Sequence, residues 1–136
     1  MKYFELYELV DRTTYELWGE DAWSLLNPNL LYSIDGVREF FGVPCYINNW
    51  YGGYGSNQYR GYRPQVCPVG AEFSEHKKGN AADMTIKGWY AEDARNLIME
   101  NQNNPLLAKI MRMERDVGWL HIDCKAVSNR IYLFRG

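Results

Sequence analysis

Ten residues carry most of the information in this chain: Ser74-Glu75-His76-Lys77-Lys78-Gly79-Asn80-Ala81-Ala82-Asp83. They set a histidine and an aspartate seven positions apart, with a glycine and small residues between them. The second of the chain's two histidines follows in Trp119-Leu120-His121-Ile122-Asp123, again beside a carboxylate. Two imidazoles and one carboxylate are a common ligand set for a catalytic zinc ion, whose fourth position is left to water. We therefore predict that His76, Asp83 and His121 meet in space as metal ligands.

The segment around the first histidine favours a turn followed by a strand. Gly79 lets the chain reverse, and the two alanines that follow it keep bulk away from a bound ion. Residues 81–86 are predicted as a strand that carries Asp83. A surface ion pair between His76 and Asp83 is the plain alternative, but it leaves the rest of the pattern to coincidence.

The second histidine lies on another predicted strand, over residues 119–124. Side chains alternate along a strand, so Trp119, His121 and Asp123 project from one face. Asp123 then lies about 7 Å along the strand from His121. It can orient His121 as a metal ligand or act as a general base. Without a metal, His121 would be a buried strand histidine whose ring is satisfied by Asp123.

The remaining pattern predicts one α+β domain over residues 1–136, a length that can bury a real core. Predicted helices cover residues 4–10, 21–26, 30–41 and 91–101, and predicted strands cover 44–50, 81–86, 110–115, 119–124 and 130–134. Residues 1–28 form an N-terminal helical segment, which residues 11–14 are expected to interrupt. Asn29 is the predicted N-cap of the long helix, and Gly42 is its predicted end.

Helices come first and strands mostly later, which favours an antiparallel sheet flanked by helices over a doubly wound sheet. We expect one zinc site in an open groove over this sheet. Residues 51–59 are rich in glycine and tyrosine and are predicted as a loop. Two interpretations of that loop stay open, a surface excursion without fixed structure or a rim that faces a substrate.

Charge and composition exclude several classes of partner. Lys+Arg 15 against Asp+Glu 17 gives a net charge of −2, which offers no electrostatic case for nucleic acid or an anionic membrane. No stretch is long and apolar enough to span a bilayer, and the first residues lack the apolar core of a signal peptide. The three cysteines have irregular spacing, which favours free thiols in a reducing cytoplasm. We expect a monomer that is cytoplasmic when made.

Five positions, Ser74, His76, Gly79, Ala81 and Asp83, complete the pattern Ser-x-His-x-x-Gly-x-Ala-x-Asp. This pattern resembles the signature of the zinc D-Ala-D-Ala carboxypeptidases and dipeptidases, a family that includes phage endolysin peptidases. The later Trp-Leu-His-Ile-Asp looks like the family's second metal segment, and Gly61-Tyr62-Arg63 looks like its Gly-aromatic-Arg element. The resemblance runs in the right order over about residues 30–124 and is far more specific than a lone His-x-x-Gly.

The resemblance implies a zinc peptidase with one zinc per chain, held by His76, Asp83 and His121. Arg63 would polarise the scissile carbonyl or hold a substrate carboxylate, for which a guanidinium is suited. Ser74 would support the substrate or the backbone of the site. The implied reaction is hydrolysis of an amide bond in peptidoglycan, at D-Ala-D-Ala, at L-Ala-D-Glu or in a crossbridge. A phage or prophage enzyme of cell lysis would act on the wall after release.

The general base is where the chain departs from the family pattern. Dipeptidase-like members carry an acid three residues before the last zinc histidine, and Gly118 stands there. Other members carry a histidine two residues before it, and Trp119 stands there. The short phage-associated branch looks similar to this chain, with His-x-Asp. We predict Asp123 as the base or as a partner of His121, with Glu114 and Asp116 as alternatives for the base.

Two further hypotheses remain beside the peptidase. One is a non-catalytic peptidoglycan-binding or phage structural module that keeps the fold and the metal but not turnover. The other is a structural domain without a metal, in which both histidines have ordinary roles.

Overall fold

A mixed five-stranded sheet forms the centre of the molecule, in a computed structural model that describes residues 1–71 and 73–136. The strands are β1 (Cys45–Tyr46), β2 (Ala81–Ile86), β3 (Arg112–Glu114), β4 (Leu120–Asp123) and β5 (Tyr132–Phe134). Their spatial order is β1-β2-β4-β3-β5, so the two strands that carry Asp83 and His121 are neighbours.

The sheet is antiparallel except at one edge, where β5 runs parallel to β3. The prediction of a wholly antiparallel sheet is therefore wrong at this edge. The chain that leaves β4 passes β3 and returns along its outer side, in the direction of β3. Local sequence patterns do not predict such a crossing, because the residue pattern of a short edge strand does not specify the direction of its partner.

Among the described residues, three α-helices and five short 3₁₀ turns accompany the sheet. The helices are α1 (Arg12–Trp18), α2 (Pro28–Phe41) and α3 (Ala91–Glu100), and the turns are Leu6–Glu8, Gly19–Leu25, Tyr51–Gly53, Glu75–Lys78 and Pro105–Leu107. α2 and α3 contribute Ile34, Val37 and Ile98 to one continuous core. The part of the chain that the structure describes has no helix long and apolar enough to cross a bilayer.

The inner strands divide their side chains between two faces. Met84 of β2 and Ile122 of β4 belong to the core, whereas Asp83, His121 and Asp123 alternate with core residues and lie on the opposite face. This alternation confirms the predicted grouping of His121 with Asp123. It also puts the charged residues together, where they can neutralise one another.

Two helices begin at caps that were not predicted. The helix predicted over residues 4–10 is only a short turn, and α1 begins inside the predicted break because the Asp11 carboxylate accepts from the Thr14 amide at 3.1 Å. α2 is capped by Asn27, whose side chain accepts from the Asn29 amide at 2.8 Å, with Pro28 at its first position. Its end at Gly42, in the left-handed conformation, confirms the prediction.

The strand predicted over residues 44–50 is much shorter than expected. Only Cys45–Tyr46 pairs with β2. Beyond it, the Asn48 amide donates to the Glu8 carbonyl at 3.0 Å, and the Asn49 amide donates to the Asn57 carbonyl at 2.9 Å. The backbone hydrogen bonds of this segment therefore go to the N-terminal turn and to the loop rather than to the sheet.

Candidate metal centre

His76 is positioned by the short turn Glu75–Lys78. The Ser74 hydroxyl caps this turn by accepting from the His76 amide at 3.2 Å. Gly79 ends it with a φ of +73°, and a Cβ at this position would overlap the Leu25 carbonyl oxygen. The glycine of the pattern is thus required by both its backbone conformation and a close chain contact. Ser74 has a structural role here, in support of the backbone of the site.

The register of the two central strands brings the other two predicted ligands together. Asp83 of β2 lies directly opposite His121 of β4. His121 Nδ1 lies 2.9 Å from Asp83 Oδ1, and His76 Nε2 lies 3.3 Å from the same oxygen. Candidate ligand atoms of these three buried residues all lie within 4.8 Å of one another. His76, Asp83 and His121 could therefore hold a metal ion.

Each histidine has an outer partner that fixes its ring. His76 Nδ1 lies 2.8 Å from the Gly61 carbonyl oxygen, so this nitrogen donates its proton and leaves Nε2 as the ligand atom. His121 Nε2 lies 2.8 Å from Asp123 Oδ2, which leaves Nδ1 as the ligand atom. Metal-binding histidines almost always donate the second ring N–H to a carbonyl or carboxylate in this way. The donor set and its outer partners therefore fit a divalent ion such as zinc.

The charges of the cluster support one another when no metal is bound. Burial alone would lower the pKa of His121, but its hydrogen bonds with Asp123 and Asp83 raise that pKa to about 9. Burial opposes ionisation of Asp83 as well, yet contacts with His121 and His76 hold its pKa well below the usual range. A bound cation would replace the proton that His121 carries at Nδ1.

Asp123 lies behind His121, on the side away from the other two ligands. Its side chain is fully buried, and it receives hydrogen bonds from Arg112 Nε at 3.0 Å and Nη2 at 2.8 Å. Burial raises the pKa of Asp123, but the contacts with His121 and Arg112 lower it overall. This geometry suits the orienting role that was predicted for Asp123 as an alternative to the base.

A cavity of about 510 Å³, which we call the metal cavity, opens over the three candidate ligands. Its lining includes Arg63, Val69, Phe73, Ser74, His76, Asp83, Arg112, Glu114, Trp119, His121, Lys125 and Phe134. Charged groups of both signs therefore face the space above the ligands, together with apolar walls. Such a mixture suits a ligand that has both peptide and carboxylate groups.

The two alternative bases lie in different places. Glu114, on β3, lines the metal cavity, and its Oε2 lies 3.9 Å from His121 Nδ1. Asp116 is largely exposed, pairs with Arg135 at 2.7 Å and borders another cavity beside the start of α3. Among these carboxylates, Glu114 is the one that faces both the ligands and the open space.

Arg63 is held beside the three candidate metal ligands by backbone hydrogen bonds. Its Nε donates to the Tyr59 carbonyl at 2.7 Å, and its amide donates to the His76 carbonyl at 3.1 Å. Nη2 lies 3.4 Å from Asp83 Oδ2, while the guanidinium lines the cavity. The predicted Gly61-Tyr62-Arg63 element thus has a physical basis. The Gly61 carbonyl contacts His76, and the Arg63 guanidinium contacts Asp83.

Arg112 was missed by the sequence analysis. It pairs with Asp123 across β3 and β4, where the two residues lie opposite each other. Its guanidinium also lies 3.9 Å from the centre of the Phe134 ring. A basic residue 11 positions before an aspartate is unremarkable in the sequence, so only the strand register could reveal this pair.

A comparison of the chain with protein-family models, characterised proteins and solved structures found no match. The resemblance to the zinc D-Ala-D-Ala carboxypeptidases therefore stays a prediction that depends on the quoted motifs.

Proposed function

We propose that this chain is a zinc-dependent peptidase that hydrolyses amide bonds in peptidoglycan stem peptides or crossbridges. One observation carries the proposal: two imidazoles and one carboxylate converge beneath an open cavity, and each imidazole is fixed by an outer partner. Structural zinc sites have four protein ligands, whereas a three-ligand site under a cavity leaves a position for reacting groups. A role in phage or prophage lysis belongs to the same proposal.

The ligands would be His76 through Nε2, Asp83 through its carboxylate and His121 through Nδ1. When bound, zinc supplies a Lewis acid that polarises the scissile carbonyl and activates water. The Asp123 carboxylate holds the Nε2 proton of His121 and so keeps Nδ1 available to the metal. Arg112 keeps Asp123 ionised for this purpose.

Glu114 is the general base in this proposal. Its carboxylate faces the cavity beside the ligand nitrogen of His121, so it can take a proton from the attacking water and pass it to the leaving amine. Arg63 is placed to contact the carbonyl or a carboxylate of the bound peptide, because its guanidinium borders both Asp83 and the cavity. Asp123 would take part only through His121.

The test combines metal analysis with digestion. The purified chain should contain one zinc per molecule and should release defined peptides from purified peptidoglycan, read by mass spectrometry. Glu114→Gln should keep its metal while hydrolysis falls by about 100-fold or more, a typical loss for a general base. Asp116→Asn is the matched control and should keep both. A chain that binds no metal after zinc is supplied would refute the proposal.

A non-catalytic module is the alternative that the same experiment addresses. One observation favours it: Asp123 is buried and Asp116 lies elsewhere, so only one of the three candidate bases, Glu114, borders the cavity. A metal-loaded parent chain that binds peptidoglycan but releases no peptide would support this alternative. The parent chain and Glu114→Gln would then behave identically.

A further inference from the structure

A second cavity, of about 630 Å³, is built from the tyrosine-rich part of the chain. We call it the tyrosine cleft; it is lined by Tyr7, Glu8, Tyr46, Asn48, Asn49, Tyr51, Gly52 and Tyr54. Among the described residues, it shares no lining residue with the metal cavity. The predicted loop over residues 51–59 thus borders a site of its own.

The walls of the tyrosine cleft are held in place by aromatic packing. The Tyr7 and Tyr51 rings stack with centres 4.0 Å apart and planes inclined by 18°. Tyr15 and Trp50 each meet the Tyr51 ring edge to face. The Trp50 indole N–H donates to the Val10 carbonyl at 2.9 Å, which ties the wall to the core. This part of the loop is therefore preorganised, which removes the interpretation as an excursion without fixed structure.

The glycines of the loop allow the cleft to present an exposed ring. Gly52 has a φ of +76°, and a Cβ there would lie 2.9 Å from the Tyr54 ring. A Cβ at Gly55 would overlap the side-chain amide of Asn49. Tyr54 is 87% exposed, so its ring adds almost nothing to the core. Glycine in a fixed conformation costs entropy, and an exposed aromatic ring gains no burial, so this arrangement favours a binding role.

The chemistry of the cleft indicates the class of ligand. Flat tyrosine faces suit the C–H faces of a sugar ring, and the tyrosine phenol groups suit its hydroxyl and acetamido groups. None of the described residues that line the cleft is lysine or arginine, and Glu8 is its one carboxylate. An anionic ligand would therefore meet no compensating positive charge among these lining residues. A neutral saccharide fits these walls better than a phosphate, a nucleic acid or an acidic peptide.

We propose that the tyrosine cleft binds a neutral oligosaccharide of N-acetylated amino sugars, the glycan strand to which stem peptides are attached. The choice of this glycan rests on the proposed peptidase function, whereas the preference for a neutral saccharide rests on the cleft itself. Binding of the strand at the cleft would hold the chain on its polymeric substrate while the metal centre acts on the peptides. Tyr54 and Tyr46 would contribute the exposed stacking faces.

The test is calorimetric titration of the zinc-loaded chain with a tetramer of N-acetylglucosamine. Tyr54→Ala should raise the Kd for the tetramer by about fivefold, which is the loss of affinity expected when one aromatic contact is removed. Tyr90→Ala is the matched control, because Tyr90 is equally exposed, at 83%, but borders the cavity beside α3. Hydrolysis of a soluble stem peptide that lacks glycan should be retained in Tyr54→Ala, while release of peptides from intact peptidoglycan should fall.

The outcomes separate this inference from the proposed function. Cleavage of the soluble peptide without any binding of the tetramer would refute the cleft and leave the peptidase standing. The inference would also be refuted if neither Tyr54→Ala nor Tyr46→Ala weakened binding of the tetramer. It would be refuted as well if the chain bound the soluble peptide and Tyr54→Ala abolished that binding. Binding of the tetramer that depends on Tyr54, in a chain that cleaves no peptide, would support the cleft and refute the peptidase.

Discussion

The candidate metal centre and the tyrosine cleft lie at cavities of similar size, about 510 and 630 Å³, but different interactions stabilise their walls. Ionic hydrogen bonds across the central strands join the metal centre, where each buried charge has an opposite partner. Aromatic stacking and glycine turns in irregular segments form the cleft. A buried charge that loses its partner costs far more than one lost ring contact. Substitutions should therefore have large effects in the metal centre and modest effects in the cleft.

His76→Ala should give the largest effect and separate the two regions completely. Loss of a ligand should weaken zinc binding by more than about 100-fold, since loss of an outer partner alone costs about 10–100-fold. The tyrosine cleft shares no described residue with this site, so binding of the sugar tetramer should be retained. Elemental analysis and calorimetry measure the two properties. Asp116→Asn should retain one zinc per chain, and zinc retained in His76→Ala would contradict the ligand assignment.

Asp123→Asn should have the next largest effect, and it distinguishes an orienting residue from a base. The substitution removes the charge behind His121 and leaves Arg112 without its counter-ion. We expect zinc affinity to fall by about 10–100-fold, while hydrolysis per bound zinc changes much less. Competition with a chromogenic chelator gives the affinity. Unchanged affinity with abolished turnover would make Asp123 the base in place of Glu114.

Gly61→Ala should disturb both regions at once, because this residue lies between them. Its carbonyl accepts from His76, and a Cβ would overlap the Leu9 carbonyl, close in the chain to Tyr7 and Glu8 of the cleft. We expect the free energy of unfolding to fall by about 1–3 kcal/mol through overpacking. The control is Gly118→Ala, where a Cβ meets open space among the described atoms. Equal denaturation midpoints for the two variants would show that the chain adjusts at Gly61.

A further expected effect is a pH dependence that belongs to the candidate metal centre alone. The pKa of His121 is raised to about 9 in the metal-free fold, against an ordinary value of about 6.5. The stabilisation of the metal-free fold by protonated His121 is therefore fully present below about pH 6.5 and is lost as the pH rises through about 9. Melting temperatures of the metal-free protein should fall over this window. Tyr54→Ala should keep the same slope, whereas His121→Gln should flatten it, and equal slopes in all three would contradict the assignment.

Much of the metal centre could be predicted from the sequence, because its information is local. The turn at Gly79, the strand that carries Asp83 and the alternation of His121 with Asp123 all follow from short-range rules of backbone geometry. The end of α2 at Gly42 follows in the same way. By contrast, the capping residues Asp11 and Asn27 were missed, since several polar residues compete for each cap and the packing of the segment selects one of them.

A substrate-facing rim was one of the two interpretations of residues 51–59, but the cleft as a whole could not be predicted, because its parts are distant in the sequence. Tyr7 and Tyr51 are ordinary tyrosines in separate segments until the fold stacks them. The short pairing of β1 is a related failure, since backbone groups after Tyr46 bind the N-terminal turn instead of a strand. Hydrophobic alternation predicts that a segment can form a strand, but it does not say which partner is present.

The sequence by itself determined which residues can bind a metal and how His76, Gly79 and Asp83 follow one another in a turn and a strand. Only the tertiary structure decided the positions of the carboxylates: Asp123 lies behind His121 with Arg112, and Glu114 faces the cavity. The physical reason is strand register. A shift of one residue in the pairing of β3 with β4 would turn Arg112 and Glu114 to the opposite face of the sheet, and that register depends on the packing of the whole sheet.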